Sequence, residues 1–74
     1  MNDLNFEMAK EIKKNYPPGT RIELDFMNDP HPIPAGTKGT VRYVDAIGTV
    51  HINWDNGSSL GLIPNEDKFH IIEN

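Results

Sequence analysis

The chain has 74 residues, no cysteine and a formal net charge of −4, from seven Lys and Arg against eleven Asp and Glu. A chain of this length forms one small domain with a thin core, and the lack of cysteine excludes disulfides and thiolate metal sites. The acidic balance argues against the basic face that nucleic-acid binding needs. No apolar run approaches the roughly 18 residues that span a bilayer, and the N-terminus does not resemble a secretory signal, so we expect a cytoplasmic protein.

Residues 3–15 are predicted to form a short amphipathic helix. Leu4, Met8 and Ile12 recur at spacings of four and so share one apolar stripe. A helix this short is marginal alone, so the stripe must dock either on the chain's own β domain or on another copy of the chain. A homo-oligomer formed through these three residues is therefore one alternative.

Two consecutive prolines, Pro17 and Pro18, end the helix because proline lacks an amide hydrogen and disfavours helical geometry in the preceding residue. We place a boundary here, between the helical residues 1–16 and a β domain of residues 17–74. The next run alternates strictly between apolar and polar residues and predicts a first strand, with an inward face of Ile22, Leu24 and Phe26.

The segment of residues 27–35 is the longest irregular stretch, and its three alternating prolines favour a stiff, extended loop. Long loops on small scaffolds often carry binding residues. The candidates for contact with a partner are Met27, Asn28, Asp29 and His31. The alternative is a loop that only connects two strands.

Residues 36–64 contain three alternating apolar runs separated by two turns. Val50, Ile52 and Trp54 share one face of the middle run, and Leu60 and Leu62 lie in the third run. Asn56-Gly57 between two such runs predicts a type I′ hairpin turn. Tyr43 and Trp54 would join the partner-binding surface if they were exposed, although their positions in the alternation favour core packing.

A single helical turn at residues 64–67 and a last strand at 68–72 complete the pattern. The predicted fold is mainly β: a five-stranded SH3-like small barrel preceded by one short N-terminal α-helix.

Several motifs resemble domain-of-unknown-function family 4314. They are listed here in chain order: Pro17-Pro18-Gly19-Thr20, Gly36-Thr37-Lys38-Gly39-Thr40-Val41, Trp54-Asp55-Asn56-Gly57, Leu60-Gly61-Leu62-Ile63-Pro64 and Asp67-Lys68-Phe69. The resemblance covers roughly residues 16–70 and leaves out the helix. It supports the barrel fold and implies an origin on a phage, plasmid or other mobile element, but it implies no chemistry.

No catalytic or cofactor motif is present. His31, His51 and His70 lack any metal-ligand spacing, and the glycines lack the context of a phosphate-binding loop. A divalent-ion site near Asp25 and Asp29 matches no known ligand pattern. We therefore expect a non-enzyme without metal or cofactor.

Two functions remain open. The first is a protein-interaction module that acts on a host or defence component on behalf of a mobile element. The alternative is a small barrel that binds nucleic acid or a nucleotide, with Tyr43 or His51 stacking on a base. That alternative requires distant basic residues to gather on one face, namely Arg21, Lys38, Arg42 and the lysines of the helix.

Overall fold

The computed structural model describes the backbone of residues 3–73 and the side chains of residues 7–73. One helix, α1 (Asp3–Asn15), precedes four strands: β1 (Arg21–Phe26), β2 (Lys38–Val44), β3 (Val50–Trp54) and β4 (Lys68–Glu73). The strands form one antiparallel sheet in the order β3-β2-β1-β4. Within the described residues, no helix is long and apolar enough to cross a membrane.

Helix α1 has the predicted bounds and docks on the sheet of its own chain. Ala9 is buried, and Ile12 and Tyr16 are partly buried and pack against the core. Met8, on the edge of the same face, remains exposed. The side chain of Leu4 lies outside the described residues. The helix rests on the turn after β2, where a methyl group added to Gly48 would lie 3.3 Å from Cδ1 of Ile12.

Two copies of a Pro-x-Gly-Thr turn introduce β1 and β2. In the first turn, Thr20 donates both its backbone N–H (3.1 Å) and its hydroxyl (2.7 Å) to the carbonyl of Pro17. In the second, Thr37 donates the same two groups to the carbonyl of Pro34, at 3.2 and 2.7 Å. The two turns therefore fix the directions in which the central strands begin.

The core lies on one face of the sheet and includes residues of the loop after β1 and of the segment around residue 62. Its members, all buried, are Ile22, Leu24, Met27, Ile33, Val41, Val44, Val50, Ile52, Trp54 and Leu62. The face predicted for β3 is confirmed, since Val50, Ile52 and Trp54 are all in this cluster. Gly39 is required here because a methyl group in its place would lie 2.5 Å from Cγ2 of Ile52.

The prediction of a fifth strand is wrong, and the described residues form an open sheet where a small barrel was predicted. The third run of the meander contributes only one bridge, in which Leu62 exchanges two backbone hydrogen bonds with Val50 (2.8 and 2.9 Å). The carbonyl of Leu60 accepts the indole N–H of Trp54 instead (2.8 Å), and its N–H donates to the hydroxyl of Ser58. These bonds draw the residues before Leu62 out of strand geometry, so the structure is an open four-stranded sheet.

The turn after β3 also differs from the type I′ prediction. Gly57 has a φ of 91°, whereas none of the described non-glycine residues, Asn56 included, has a positive φ. The N–H of Gly57 donates to the carbonyl of Trp54 (2.9 Å), and the N–H of Trp54 donates to the carbonyl of Ser58 (3.2 Å). This is a three-residue turn that ends in a left-handed glycine, a common alternative for hairpins.

Phe26, predicted to face the core, is 54% exposed. The pairing of β1 with β4 shifts register between Leu24 and Phe26, which leaves Asp25 without a partner across the ladder. Because such a bulge inverts the alternation that follows it, Phe26 faces solvent and Met27 enters the core.

Candidate functional site

The loop of residues 27–35 has a buried part and an exposed part. Met27 and Ile33 are both buried, and the N–H of Ile33 points at the sulfur of Met27 at 3.4 Å. Asn28, Asp29 and His31 are exposed between them. The loop therefore exposes these three candidate side chains, whereas Met27, a candidate contact from the sequence, belongs to the core.

One buried carboxylate holds this loop in place. Asp67 accepts the backbone N–H of Asn28 through Oδ1 and the backbone N–H of Ile63 through Oδ2, each at 2.8 Å. Asp29 accepts the N–H of His31 at 2.8 Å, which tightens the exposed part of the loop. The geometry of the exposed residues is thus set by contacts far along the chain.

Trp54 is buried, as its position in the alternation favours, and is not available as a contact residue. Tyr43 is 46% exposed, contrary to the core packing that the alternation favours. The pairing of β2 with β3 shifts register between Val41 and Tyr43, so that Arg42 and Tyr43 both face solvent. A bulge of this kind redirects side chains and could not be read from the alternation.

Tyr43 stacks on His51 of the neighbouring strand, with ring centroids 4.4 Å apart and planes 11° from parallel. Nε2 of His51 lies 2.9 Å from Oδ2 of Asp45. Oδ1 of Asp45 accepts the N–H groups of Ile47 (3.1 Å) and Thr49 (2.9 Å). Partial burial raises the pKa of Asp45, but the hydrogen bonds from His51, Thr49 and Ile47 outweigh it, so the pKa is lowered overall.

The exposed loop and the Tyr43–His51 stack lie at opposite ends of the sheet. Strand β1 runs towards the loop, and β2, which pairs with it antiparallel, runs away from the loop towards Tyr43. The structure therefore does not gather the candidate residues into one site. It offers two separate surfaces, one at each end of the strands.

A third surface, not found from the sequence, is a groove beside α1. We call it the helix groove, and it is lined by Met8, Ala9, Ile12, Ile47, Gly48, Thr49, Ile63, Pro64 and Asn65. Its volume is about 170 Å³, well below the roughly 300–1,000 Å³ of pockets that hold whole small-molecule ligands. The groove has room for one or two side chains. The signal that could have found it was the pair of isolated isoleucines beside turn residues, Ile47 and Ile63.

One of the basic residues of the nucleic-acid alternative, Arg21, is paired with an acidic side chain. Arg21 donates two hydrogen bonds to Asp55, at 2.9 and 2.8 Å, and this pair raises the pKa of Arg21 and lowers that of Asp55. Of the residues proposed from the sequence for nucleic-acid binding, Arg42, Tyr43 and His51 lie together. Among the residues that the structure describes, no three His, Asp or Glu side chains gather as metal ligands would.

A family model described as "Domain of unknown function (DUF4314)" matches residues 5–72. The match extends through most of α1, which the motif resemblance had left outside. No curated protein matches the chain.

Proposed function

The chain belongs to a family of unknown function, DUF4314, and we propose that it is a cytoplasmic, non-enzymatic protein-interaction module. In this proposal, the helix groove receives an apolar side chain from a partner protein. The exposed loop of Asn28, Asp29 and His31 is the second contact surface. The partner is a host or defence component, and the chain acts on it on behalf of a phage or other mobile element.

The observation that carries the proposal is the exposed apolar rim of the helix groove. Ile47 is 80% exposed, Ile63 is 47% exposed and Met8 is 37% exposed, and all three line the same groove. Contiguous exposed apolar side chains on a small protein commonly mark a protein-binding surface. None of the described side chains that line the groove is charged, so an apolar anchor is the chemistry it suits.

Hydrogen bonds brace both walls of the groove. Ile47 lies in a turn closed by a hydrogen bond from the N–H of Gly48 to the carbonyl of Asp45 (3.1 Å) and braced by the Asp45 side chain. On the opposite wall, the carbonyl of Ile63 accepts the N–H groups of Glu66 and Asp67, each at 2.8 Å. A surface that is already ordered loses less entropy when a partner binds.

The test is affinity capture of the tagged full chain from host lysate, with bound proteins identified by mass spectrometry. The groove variant combines Ile47→Ser with Ile63→Asn, and the loop variant replaces Asn28, Asp29 and His31 with alanine. The matched control is Leu60→Ser, which removes an exposed apolar side chain outside the groove. Circular dichroism checks that every variant is folded.

We expect the wild type and the Leu60 control to retain one stoichiometric partner and the groove variant to lose it. If only the loop variant lost the partner, the interface would lie on the exposed loop at the other end of the sheet. Retention in both variants, or capture of the chain's own second copy alone, would contradict the proposal. Size-exclusion chromatography tests the second of these outcomes, including association through Leu4, Met8 and Ile12.

A further inference from the structure

Tyr43 presents an aromatic ring to solvent, and the residue is 46% exposed. His51 covers one face of the ring at 4.4 Å. The guanidinium carbon of Arg42, an exposed residue, lies over the ring at 5.7 Å from its centroid. This distance is within the roughly 6 Å range of a cation–π contact, so a planar group that stacks on Tyr43 displaces the Arg42 side chain from the ring.

This surface is held in place before any ligand arrives. His51 is fixed by Asp45 at 2.9 Å, and Asp45 is fixed in turn by the backbone N–H groups of Ile47 and Thr49. The cross-strand pairing of Tyr43 with His51 sets the position of the tyrosine itself. A platform of this kind pays little entropy when a planar group stacks on it.

Arg42 supplies a charge that the surface has not neutralised. Among the described residues, the ion pairs join Arg21 to Asp55, His51 to Asp45 and His70 to Asp25, and none of them uses Arg42. The bulge places Arg42 and Tyr43 side by side on the exposed face. The helix adds Lys13, which lines a shallow cleft together with Asp45.

A stacked ring with an arginine beside it matches a specific ligand chemistry. Any nucleic-acid base can stack on tyrosine, because every base has a flat aromatic face. A guanidinium forms paired hydrogen bonds with a phosphate. An acidic peptide would need several cations and would make little use of the flat ring. We infer that Arg42, Tyr43 and His51 form a binding site for a nucleotide, in which the base stacks on the Tyr43 face that His51 does not cover and the Arg42 side chain turns from the ring to the phosphate. The nucleotide is either free or part of a single strand.

The experiment is a titration of the full chain, followed by the NMR signals of the Tyr43 and His51 rings. The probes are adenosine 5′-monophosphate, adenosine without a phosphate, and a short single-stranded oligo(dA). The variants are Tyr43→Ala, Tyr43→Phe and Arg42→Ala. The matched control is Lys38→Ala, which removes an exposed basic side chain at the opposite end of β2.

We expect saturable binding of the monophosphate that Tyr43→Ala weakens about tenfold or more, as loss of one stacked base does. Tyr43→Phe and Lys38→Ala should bind like the wild type. Arg42→Ala should weaken binding of the monophosphate but not of adenosine. Tighter binding of oligo(dA) than of the monophosphate would identify a single strand as the source.

Lack of saturable change with both the monophosphate and oligo(dA) would overturn the inference. Equal binding by the wild type and a folded Tyr43→Ala variant would overturn it as well. The helix groove takes no part in these measurements, so the result leaves the proposed protein-binding function to its own test.

Discussion

Asp67 is a single acidic residue on which two distant segments of this small chain depend. Its carboxylate is buried and accepts one backbone N–H from the loop after β1 and another from the turn before β4. From the sequence, Asp67 was placed only in a single helical turn that begins at Pro64. Its two partners, Asn28 and Ile63, lie 39 and 4 residues away, and no local pattern reveals the more distant one.

We predict that Asp67→Asn lowers the free energy of unfolding by about 1–3 kcal/mol, because the amide leaves one buried N–H without an acceptor. Urea denaturation measures the change. The neighbouring Glu66→Gln, on an exposed residue, serves as the control and should change stability by much less. Equal stabilities for the two variants would show that the Asp67 carboxylate does not hold the loop.

Single residues also mark where prediction from the sequence stopped. Trp54, Ile52 and Val50 were placed correctly because the extra residue of the bulge between β2 and β3 lies on β2, so the alternation along β3 is unbroken. Tyr43, Phe26 and Met27 were misplaced because each follows a bulge, after which inward and outward positions exchange. A bulge depends on the partner strand, so apolar alternation within one strand cannot reveal it.

At the scale of elements, β4 is the least buried strand, with Phe69 as its one half-buried side chain. An exposed pair helps to hold it to β1: Nδ1 of His70 lies 2.9 Å from Oδ2 of Asp25. The hydrogen bond to Asp25 raises the pKa of His70 above its ordinary value of 6.5, partial desolvation opposes this, and the charges of Asp25 and Glu23 add to the rise.

A raised pKa in the folded state stabilises the fold while the histidine is protonated. The contribution is fully present below pH 6.5, the ordinary value, and is lost as the pH rises through the folded-state value. We therefore predict that the urea midpoint falls slightly as the pH increases across this window. In Asp25→Asn, NMR titration should give a lower His70 pKa and the fall should flatten. Asp29→Asn, a carboxylate change elsewhere on the surface, should leave the titration unchanged; an unshifted His70 in Asp25→Asn would contradict the prediction.

At the scale of the whole molecule, the helix and the sheet act together. The sequence placed α1 correctly but left open whether it docks on its own chain, since an amphipathic stripe does not specify its partner. The structure places Ala9 and Ile12 against Gly48 and the core. A fifth strand was predicted because Leu60 and Leu62 alternate as strand residues do. The hydrogen bond from the Trp54 side chain to the carbonyl of Leu60 cannot be read from this pattern.

We predict that a chain of residues 16–74 is less stable than the full chain by about 2 kcal/mol, the order expected when one aliphatic side chain loses its burial. Urea denaturation of both chains measures the difference, and a chain of residues 3–74, which keeps all of α1, is the control. Unchanged stability of the shorter chain would mean that residues 1–16 and 17–74 are independent units.

The pairing of β1 with β4 has a mechanical consequence. Arg21, where the chain enters the sheet, lies directly opposite Glu73, near where it leaves. A force that pulls Arg21 and Glu73 apart would act across these strands rather than along them. The bonds between them would break one after another, starting at Glu73, instead of sharing the load. Under such a force the sheet would peel open one bond at a time, and β4, an edge strand, would be the first to come away.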